Sequence, residues 1–289
     1  MPQGMTRIRS MSDYYTNYHT HTTYCDGNST PAEIVREAVS LGMQEIGFSG
    51  HSYTSIDESY CMSREGTRQY FDEISKLRSE YAGTIKILCG LERDYFADPD
   101  EYEWDFIIGS CHYIEKDGEY FPVDESEEIL KDAADRLYGG DIYAIIADYY
   151  KEVGDVVSKT SCDIIGHFDL ITKFNEGGRL FDESDHRYTS AWHSALDAIT
   201  DQMSFKTHIQ RQSPSVMPAP VFEINTGAMS RGYRTMPYPS AAILTELANR
   251  NAQVVLSSDS HDKSTLLYGF EEAERIAHSV GLEPLTYLF

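Results

Sequence analysis

Apolar and polar positions fall in alternating blocks along this chain. Short runs rich in β-branched and apolar residues occur at Tyr15–His21, Glu45–His51, Ile85–Glu92, Phe106–His112, Asp163–Phe168, Val221–Asn225 and Val254–Asp259, and each reads as a strand. Helical spacing lies between most of them. The clearest helix begins at Thr30-Pro31-Ala32-Glu33, a capping box with proline at the first helical position, carries Ile34, Val35, Ala38, Val39 and Leu41, and stops at Gly42. Weaker helical patterns cover Tyr70–Tyr81, Glu127–Leu137, Tyr143–Val157, His186–Met203 and Ser240–Asn249, and Phe270, Ala273, Ile276, Ala277 and Val280 predict a last helix before Gly281. Strand alternating with helix implies a parallel α/β sheet, either a barrel related to the eight-unit (β/α) barrel or an open doubly wound sheet. Two segments break the alternation. Tyr113–Asp124 reads as a polar loop or hairpin around Asp117-Gly118, and Gln210–Pro220, with prolines at 214, 218 and 220, as an exposed connection.

The chain has 289 residues, 41% of them hydrophobic, so it can bury a substantial core, and no break in composition divides it. A single domain over 1–289 is expected, with 1–13 as a flexible N-terminal extension. Charge narrows the function further. Against 24 Lys and Arg stand 47 Asp and Glu, a net charge of −23 that repels nucleic acid backbones and anionic lipid surfaces. Five cysteines, at 25, 61, 89, 111 and 162, form no CxxC pair, which fits reduced thiols in a cytoplasm better than a disulfide framework. With no export signal and no long apolar run, a soluble cytoplasmic protein is expected.

Chemistry gathers at the ends of the predicted strands. His19 and His21 sit in YHTH, His51 in GFSGH, Glu92 in CGLE, His112 in IIGSCH, His167 in DIIGH, and Asp259 with His261 in LSSDSH; Asp26 follows in the loop after the first strand. In parallel α/β folds the carboxyl ends of strands converge, so these nine groups are expected to form one cluster. Side chains two apart on a strand share a face, so His19 and His21 can serve one ion, as can Asp259 and His261. A lone histidine on an apolar run is ordinarily a packing residue. Six histidines and three carboxylates buried together without a metal would leave costly unpaired groups, so coordination is the cheaper explanation. Imidazole with carboxylate suits zinc, manganese or iron, and the lack of clustered cysteines favours an open catalytic site over a closed structural one. His186, His193, His208 and His278, on predicted helices or loops, are left as ordinary residues.

Taken in order, YHTHTTYCDG, FSGHS, GLERDY, GSCH, GHFDLITKF and SSDSH resemble the polymerase and histidinol phosphatase (PHP) superfamily, and EINTGAMSRGY with PYPS resembles its histidinol-phosphate phosphatase branch. The resemblance implies a distorted seven-stranded (β/α) TIM-like barrel with two or three divalent ions. It implies that His19, His21, Glu92 and Asp259 hold one ion, that Glu92 bridges to a second held by His112 and His167, and that His51, His261 and Asp26 hold a third. It implies a metal-dependent phosphomonoesterase, with Glu92 and Asp259 in the catalytic centre and L-histidinol phosphate as substrate in histidine biosynthesis.

Arg231 follows the sixth strand, which lacks a metal ligand, and is expected to grip phosphate oxygens as a catalytic and substrate-binding fork. Arg234 and Lys173 are further substrate-binding candidates, and Arg231 and Arg234 can exchange roles. Asp169 is a weak candidate proton donor. Cys25 and Cys111, each beside an expected ligand, read as small buried side chains. A small phosphate-ester partner is expected, with neither nucleic acid nor membrane. Another small ester, such as a nucleotide or sugar phosphate, and a non-catalytic metal-binding module stay open as alternatives. Oligomeric state is not legible.

Overall fold

Residues 16–210 and 220–289 are described by the computed structural model. The expected extension over 1–13, the start of the first strand at Tyr15 and the connection across 211–219 lie outside the described residues.

Ten strands and eight α-helices occur among the described residues. They are β1 (Thr16–Asn17), α1 (Pro31–Ser40), β2 (Glu45–Phe48), α2 (Arg64–Glu80), β3 (Lys86–Cys89), β4 (Leu91–Asp94), β5 (Ile107–Ser110), β6 (Tyr113–Lys116), β7 (Glu119–Pro122), α3 (Glu127–Leu137), α4 (Ile142–Thr160), β8 (Ile164–Ile165), α5 (His186–Gln210), β9 (Val221–Asn225), α6 (Gly227–Ser230), α7 (Ala241–Asn249), β10 (Val254–Ser257) and α8 (Phe270–Ser279). Every predicted strand and helix has an observed counterpart. At α1 the capping box forms as expected: the Thr30 side chain accepts from the Glu33 amide and Glu33 accepts from the Thr30 amide. An N-cap of this kind is worth about 1 kcal/mol. By contrast α2 starts six residues before the predicted Tyr70, because Ser63 caps its first turn. Only Thr67, Tyr70, Ile74 and Leu77 of α2 are buried, so its polar first turn carried little periodic signal.

The strands do not form one continuous seven-stranded sheet. Parallel pairing gives a three-stranded sheet, β1-β2-β3, and a five-stranded sheet, β10-β9-β8-β5-β4. The run Ile85–Glu92, read from sequence as one strand, breaks at Gly90. Its amide donates to the Phe48 carbonyl, and a Cβ there would come within 2.4 Å of the Phe106 ring, so the chain can pass only as glycine. Hydrogen bonds also run between the two sheets. The His51 and Glu92 backbones bridge in parallel, as do Thr20 and Ser260, with the His21 amide 2.8 Å from the Ser260 carbonyl. Asn17 ties the same ends by donating to Ser258 Oγ (2.8 Å) and accepting from the Ser258 amide (3.2 Å). The segment around Asp117-Gly118 is the antiparallel hairpin β6-β7.

Strands β2, β9 and β10 are buried at every position, as parallel strands covered on both faces are. Two apolar clusters lie on either side of them. The larger packs strand residues such as Ile46, Ile87 and Ile224 against helix residues such as Ile34, Ile146 and Leu244. The smaller gathers Tyr18, Leu88, Phe106, Ile108, Ile164, Val221 and Val255, with Leu285, Leu288 and Phe289 against it. Alternate side chains on a strand face opposite ways, so Leu88 joins the small cluster while Ile87 and Cys89 join the large one. All five cysteines are free thiols, and among the described residues no helix is long and apolar enough to cross a membrane.

Candidate metal centre

The nine groups singled out by sequence meet at the carboxyl ends of the strands, with Glu92 at the centre. Its Oε2 lies 2.9 Å from His51 Nδ1, 3.2 Å from His19 Nε2 and 3.5 Å from His21 Nε2, and its Oε1 lies 3.0 Å from His167 Nε2 and 3.5 Å from His112 Nε2. Asp259 Oδ1 approaches His21 Nε2 at 3.1 Å and His19 Nε2 at 3.7 Å. On the outer side, Asp26 is 3.0 Å from His261 Nε2 and 3.7 Å from both His21 Nδ1 and His51 Nε2. Donor atoms within 4.8 Å of one another form four sets: His21, Asp26, His51 and His261; His19, Glu92 and His167; His19, His21 and Asp259; and His51, Glu92 and His112. Glu92 shares no set with Asp259, and the grouping departs from the expected division in two further respects. His21 joins the outer set, and His112 and His167 fall on different sides of Glu92, one with His51 and the other with His19.

These residues fit a divalent metal. His19 Nε2, His21 Nε2 and Glu92 Oε2 are buried with no hydrogen-bond partner, and all three face one another. Leaving such atoms unpaired costs roughly 1–3 kcal/mol each, whereas an imidazole and carboxylate set of this kind is a natural ligand shell for zinc, manganese or iron. Burial opposes ionisation of Glu92, but the surrounding His19, His51 and His112 outweigh it and hold the carboxyl well below its ordinary range. Asp259 behaves in the same way, with burial overcome by Arg231, His19, His21 and His261. His21 moves the other way: burial, with His261 and His51 nearby, lowers it to about 3. The histidine is thus kept neutral, the form that donates a lone pair to a metal.

Seven of the nine, all but His19 and His21, line a cavity of about 290 Å³ together with Asp57, Ser59, Tyr60, Tyr113, Pro122, Asp124, Glu125, Leu170, Lys173, Arg231 and Tyr233. Arg231 reaches it just beyond α6. Its Nη2 donates to Asp259 Oδ2 at 3.0 Å and its Nη1 to the Asp259 carbonyl at 3.1 Å, with His261 Nδ1 2.8 Å away. The approach of α6 to Asp259 is close enough to require glycine: a Cβ at Gly227 would lie 2.7 Å from Asp259 Oδ2. Lys173 binds Asp124 Oδ2 at 3.0 Å and sits over the Tyr233 ring. Arg234 is not among the lining residues. Its side chain is 7% exposed and its Nη1 donates to the Thr172 carbonyl at 2.8 Å.

A family model described as the PHP domain matches residues 17–206. The chain belongs to the PHP domain family. Its relatives include a Deinococcus radiodurans protein named "Probable histidinol-phosphatase", 28% identical over 283 residues that cover 93% of this chain and 95% of that protein. The Bacillus subtilis histidinol-phosphatase is 25% identical over 279 residues, covering 88% of this chain and 96% of its own. Among solved structures, histidinol phosphate phosphatase from Lactococcus lactis, in complex with zinc, L-histidinol and phosphate, aligns with a TM-score of 0.67 at 21% identity over 94% of this chain and 95% of that one. At that identity the structural likeness speaks for the fold.

This PHP domain also contains site residues that sequence reasoning passed over. Glu223, on β9, is fully buried and connects three parts of the centre: Oε2 lies 2.8 Å from His19 Nδ1 and accepts from Ser257 Oγ, while Oε1 accepts from the His167 amide and from Asn225 Nδ2. Asp94 holds His112 through both its amide (3.1 Å) and Nδ1 (3.0 Å). Such partners orient a ligand histidine and set its tautomer. Neither had a spacing signature of its own, although a carboxylate in the middle of the buried apolar run VFEIN was a visible anomaly. The remaining histidines lie elsewhere: His186 is exposed beside Asp185, His193 stacks on Trp192, and His278 meets Glu283. The side chain of His208 lies outside the described residues. Cys25 is 3.6 Å from His21 Nδ1, and burial pushes its thiol up to about 12, so it stays protonated.

Proposed function

We propose that this chain is a metal-dependent phosphomonoesterase that hydrolyses L-histidinol phosphate with water to L-histidinol and inorganic phosphate, in histidine biosynthesis. The observation that carries the reading is the clustering of nine imidazole and carboxylate groups, five histidines of them around Glu92, beside a cavity bearing Arg231 and Lys173. Full-length similarity to proteins named histidinol-phosphatase supports the substrate.

His19, His21, Asp26, His51, Glu92, His112, His167, Asp259 and His261 would hold two or three divalent ions, zinc, manganese or iron. When bound, such ions stabilise charge on phosphoryl oxygens and lower the pKa of a water molecule at the site. The chain's own residues do the rest. Glu92, ionised at the centre, aligns five histidines at once, and Asp259 holds His21 on one side and Arg231 on the other. The Arg231 guanidinium, fixed by two bonds to Asp259, keeps further N–H groups for a phosphate. Lys173 adds a second cation on the cavity wall.

The remaining wall suits the other end of the substrate. Asp57, Asp124 and Glu125 offer negative charge to an amine and an imidazole, beside Tyr113, Tyr233 and Leu170. At about 290 Å³ the cavity lies just below the range of about 300–1,000 Å³ for ligand sites, which favours a small ester over a polymer. A net charge of −23 also disfavours nucleic acid.

The reading includes one domain, with the strands curved into a distorted seven-stranded barrel. In support, β3, β5, β8, β9 and β10, with Tyr18 just after β1, send side chains into one small apolar cluster, and the Thr20–Ser260 bridge joins the chain beyond β1 to the chain beyond β10. A cytoplasmic location agrees with five free thiols.

Turnover of L-histidinol phosphate by the manganese- or zinc-loaded protein, set against a panel of nucleotide and sugar phosphates, tests the assignment. Preference for histidinol phosphate by at least tenfold in kcat/KM is expected. Equal or better turnover of unrelated esters would remove it.

A further inference from the structure

Two tyrosine hydroxyls among the described residues are buried without a hydrogen-bond partner, those of Tyr60 and Tyr238. Tyr238 packs against Arg234 and does not line the cavity, whereas Tyr60 is part of its wall. The other two tyrosines of that wall differ from it. Tyr113 donates to Asp57 Oδ2 at 2.6 Å, and Tyr233 is 44% exposed.

The Tyr60 ring is held from three directions. It meets the His51 ring edge-on (centroids 4.9 Å apart, planes at 82°), lies 6.1 Å from His112, and stacks on Tyr113 at 6.1 Å and 18°. His51 and His112 are the two histidines that share Glu92 on one side of the cluster. Packing therefore fixes where the hydroxyl points, with no protein acceptor receiving it. The nearby carboxylate of Asp94 is already taken, its Oδ2 by His112 and its Oδ1 by the Phe96 amide. A buried O–H with no acceptor carries a desolvation cost that a ligand oxygen would relieve.

We propose that the Tyr60 hydroxyl is a substrate-binding donor that hydrogen-bonds a phosphoryl oxygen of the ester at the His51–His112 side of the cluster. The inference rests on the phosphatase reading above and extends it to a residue outside the expected ligands and cations. A phenol is a neutral donor at physiological pH, so it orients an anion without adding charge to a site already crowded with ionised groups.

The test compares wild type with Tyr60→Phe as full-length, metal-loaded protein. Tyr53→Phe is the control, deleting a hydroxyl that serves Glu58 on the same loop and does not line the cavity. Inorganic phosphate is titrated calorimetrically, metal content and thermal melting are measured, and kcat and KM are determined for histidinol phosphate. In Tyr60→Phe the phosphate Kd is expected to rise about tenfold and kcat/KM to fall about 10- to 100-fold, with metal content and melting temperature unchanged and Tyr53→Phe like wild type. Phosphate affinity within twofold of wild type overturns the proposal. If Tyr60→Phe holds less metal, the titration is repeated at saturating metal, and affinity that then returns to the wild-type value also overturns it. Absence of wild-type turnover together with a tenfold loss of phosphate affinity in the variant removes the substrate assignment and leaves the role of Tyr60 standing.

Discussion

Glu223 lies 2.8 Å from Nδ1 of His19, across the imidazole from Glu92, which faces the Nε2 of the same ring at 3.2 Å. Were His19 to ligate a metal, this clamp would set its tautomer, with the Nδ1 proton toward Glu223 and the Nε2 lone pair toward the ion. Glu223→Gln is expected to lower metal affinity or activity roughly 10- to 100-fold while preserving the fold. Metal titration and steady-state kinetics check this, and a variant with wild-type values in both would show that Glu223 only packs.

Glu92 is shared by two of the four donor sets, so its loss should be felt on both sides of the cluster. Glu92→Gln is expected to bind at least one ion fewer per chain and to lose activity by more than about 100-fold, since among the described residues no other carboxylate belongs to two of these sets. Elemental analysis after purification without chelator measures the first effect. Stripping metal from wild type should lower its melting temperature, because binding energy at a site built only in the folded state adds to stability.

The two arginines after β9 should separate in experiment. Arg231 lines the cavity and contacts Asp259 and His261, so Arg231→Met is expected to reduce kcat/KM for histidinol phosphate at least about tenfold. Arg234 is a tie to the Thr172 carbonyl, and Arg234→Met is expected to cost roughly 1–2 kcal/mol of stability in urea unfolding, with kcat/KM of the folded enzyme changed only a few-fold. A kinetic loss in Arg234→Met as large as that in Arg231→Met would return Arg234 to the substrate.

Glu152, on α4, should make stability depend on pH. Burial pushes its carboxyl up from 4.5 to about 8; Asp94, Asp148 and Glu115 push the same way, against one hydrogen bond from the Glu115 amide. Between these two values the folded chain binds a proton that the unfolded chain has released, so the contribution of Glu152 is most favourable below about 4.5 and declines as pH rises through about 8. Glu152→Gln is expected to be more stable than wild type at pH 9 by about 1–3 kcal/mol after discounting for partial exposure, with the gap closing near pH 5. Unfolding curves for both proteins across this range isolate the effect by difference.

What could be read from sequence followed from periodicity. A strand–helix alternation carries successive strand ends to one side, so HxH, GFSGH, CGLE, GSCH, DIIGH and DSH had to converge wherever the sheets closed up. The capped α1 was equally plain, because Thr30, Pro31 and Glu33 act locally. The break at Gly90 was not, since it depends on Phe106 from a different strand. Nor was the placement of the two arginines, Arg231 on the cavity wall and Arg234 against the Thr172 carbonyl, with Gly232 (φ +75°) in the turn between them. Glu223 escaped because His19 and His167 lie 204 and 56 positions away, and Asp94 and Tyr60 because no repeat or strand-end spacing marks them.

The Asn17–Ser258 contact joins residues 241 positions apart, and it sits directly below His19, His21 and Asp259. Order of synthesis therefore matters to this site. A chain emerging from the ribosome presents His19, His21, Asp26 and His51 early, yet two of the nine groups arrive with the last strand and the loop beyond it. Until β10 docks beside the first strand, the early histidines are exposed donors with no Asp259 to complete their set. The cluster is thus a report on the finished fold: a chain ending before Asp259 keeps seven of the nine side chains but not the arrangement that brings them together.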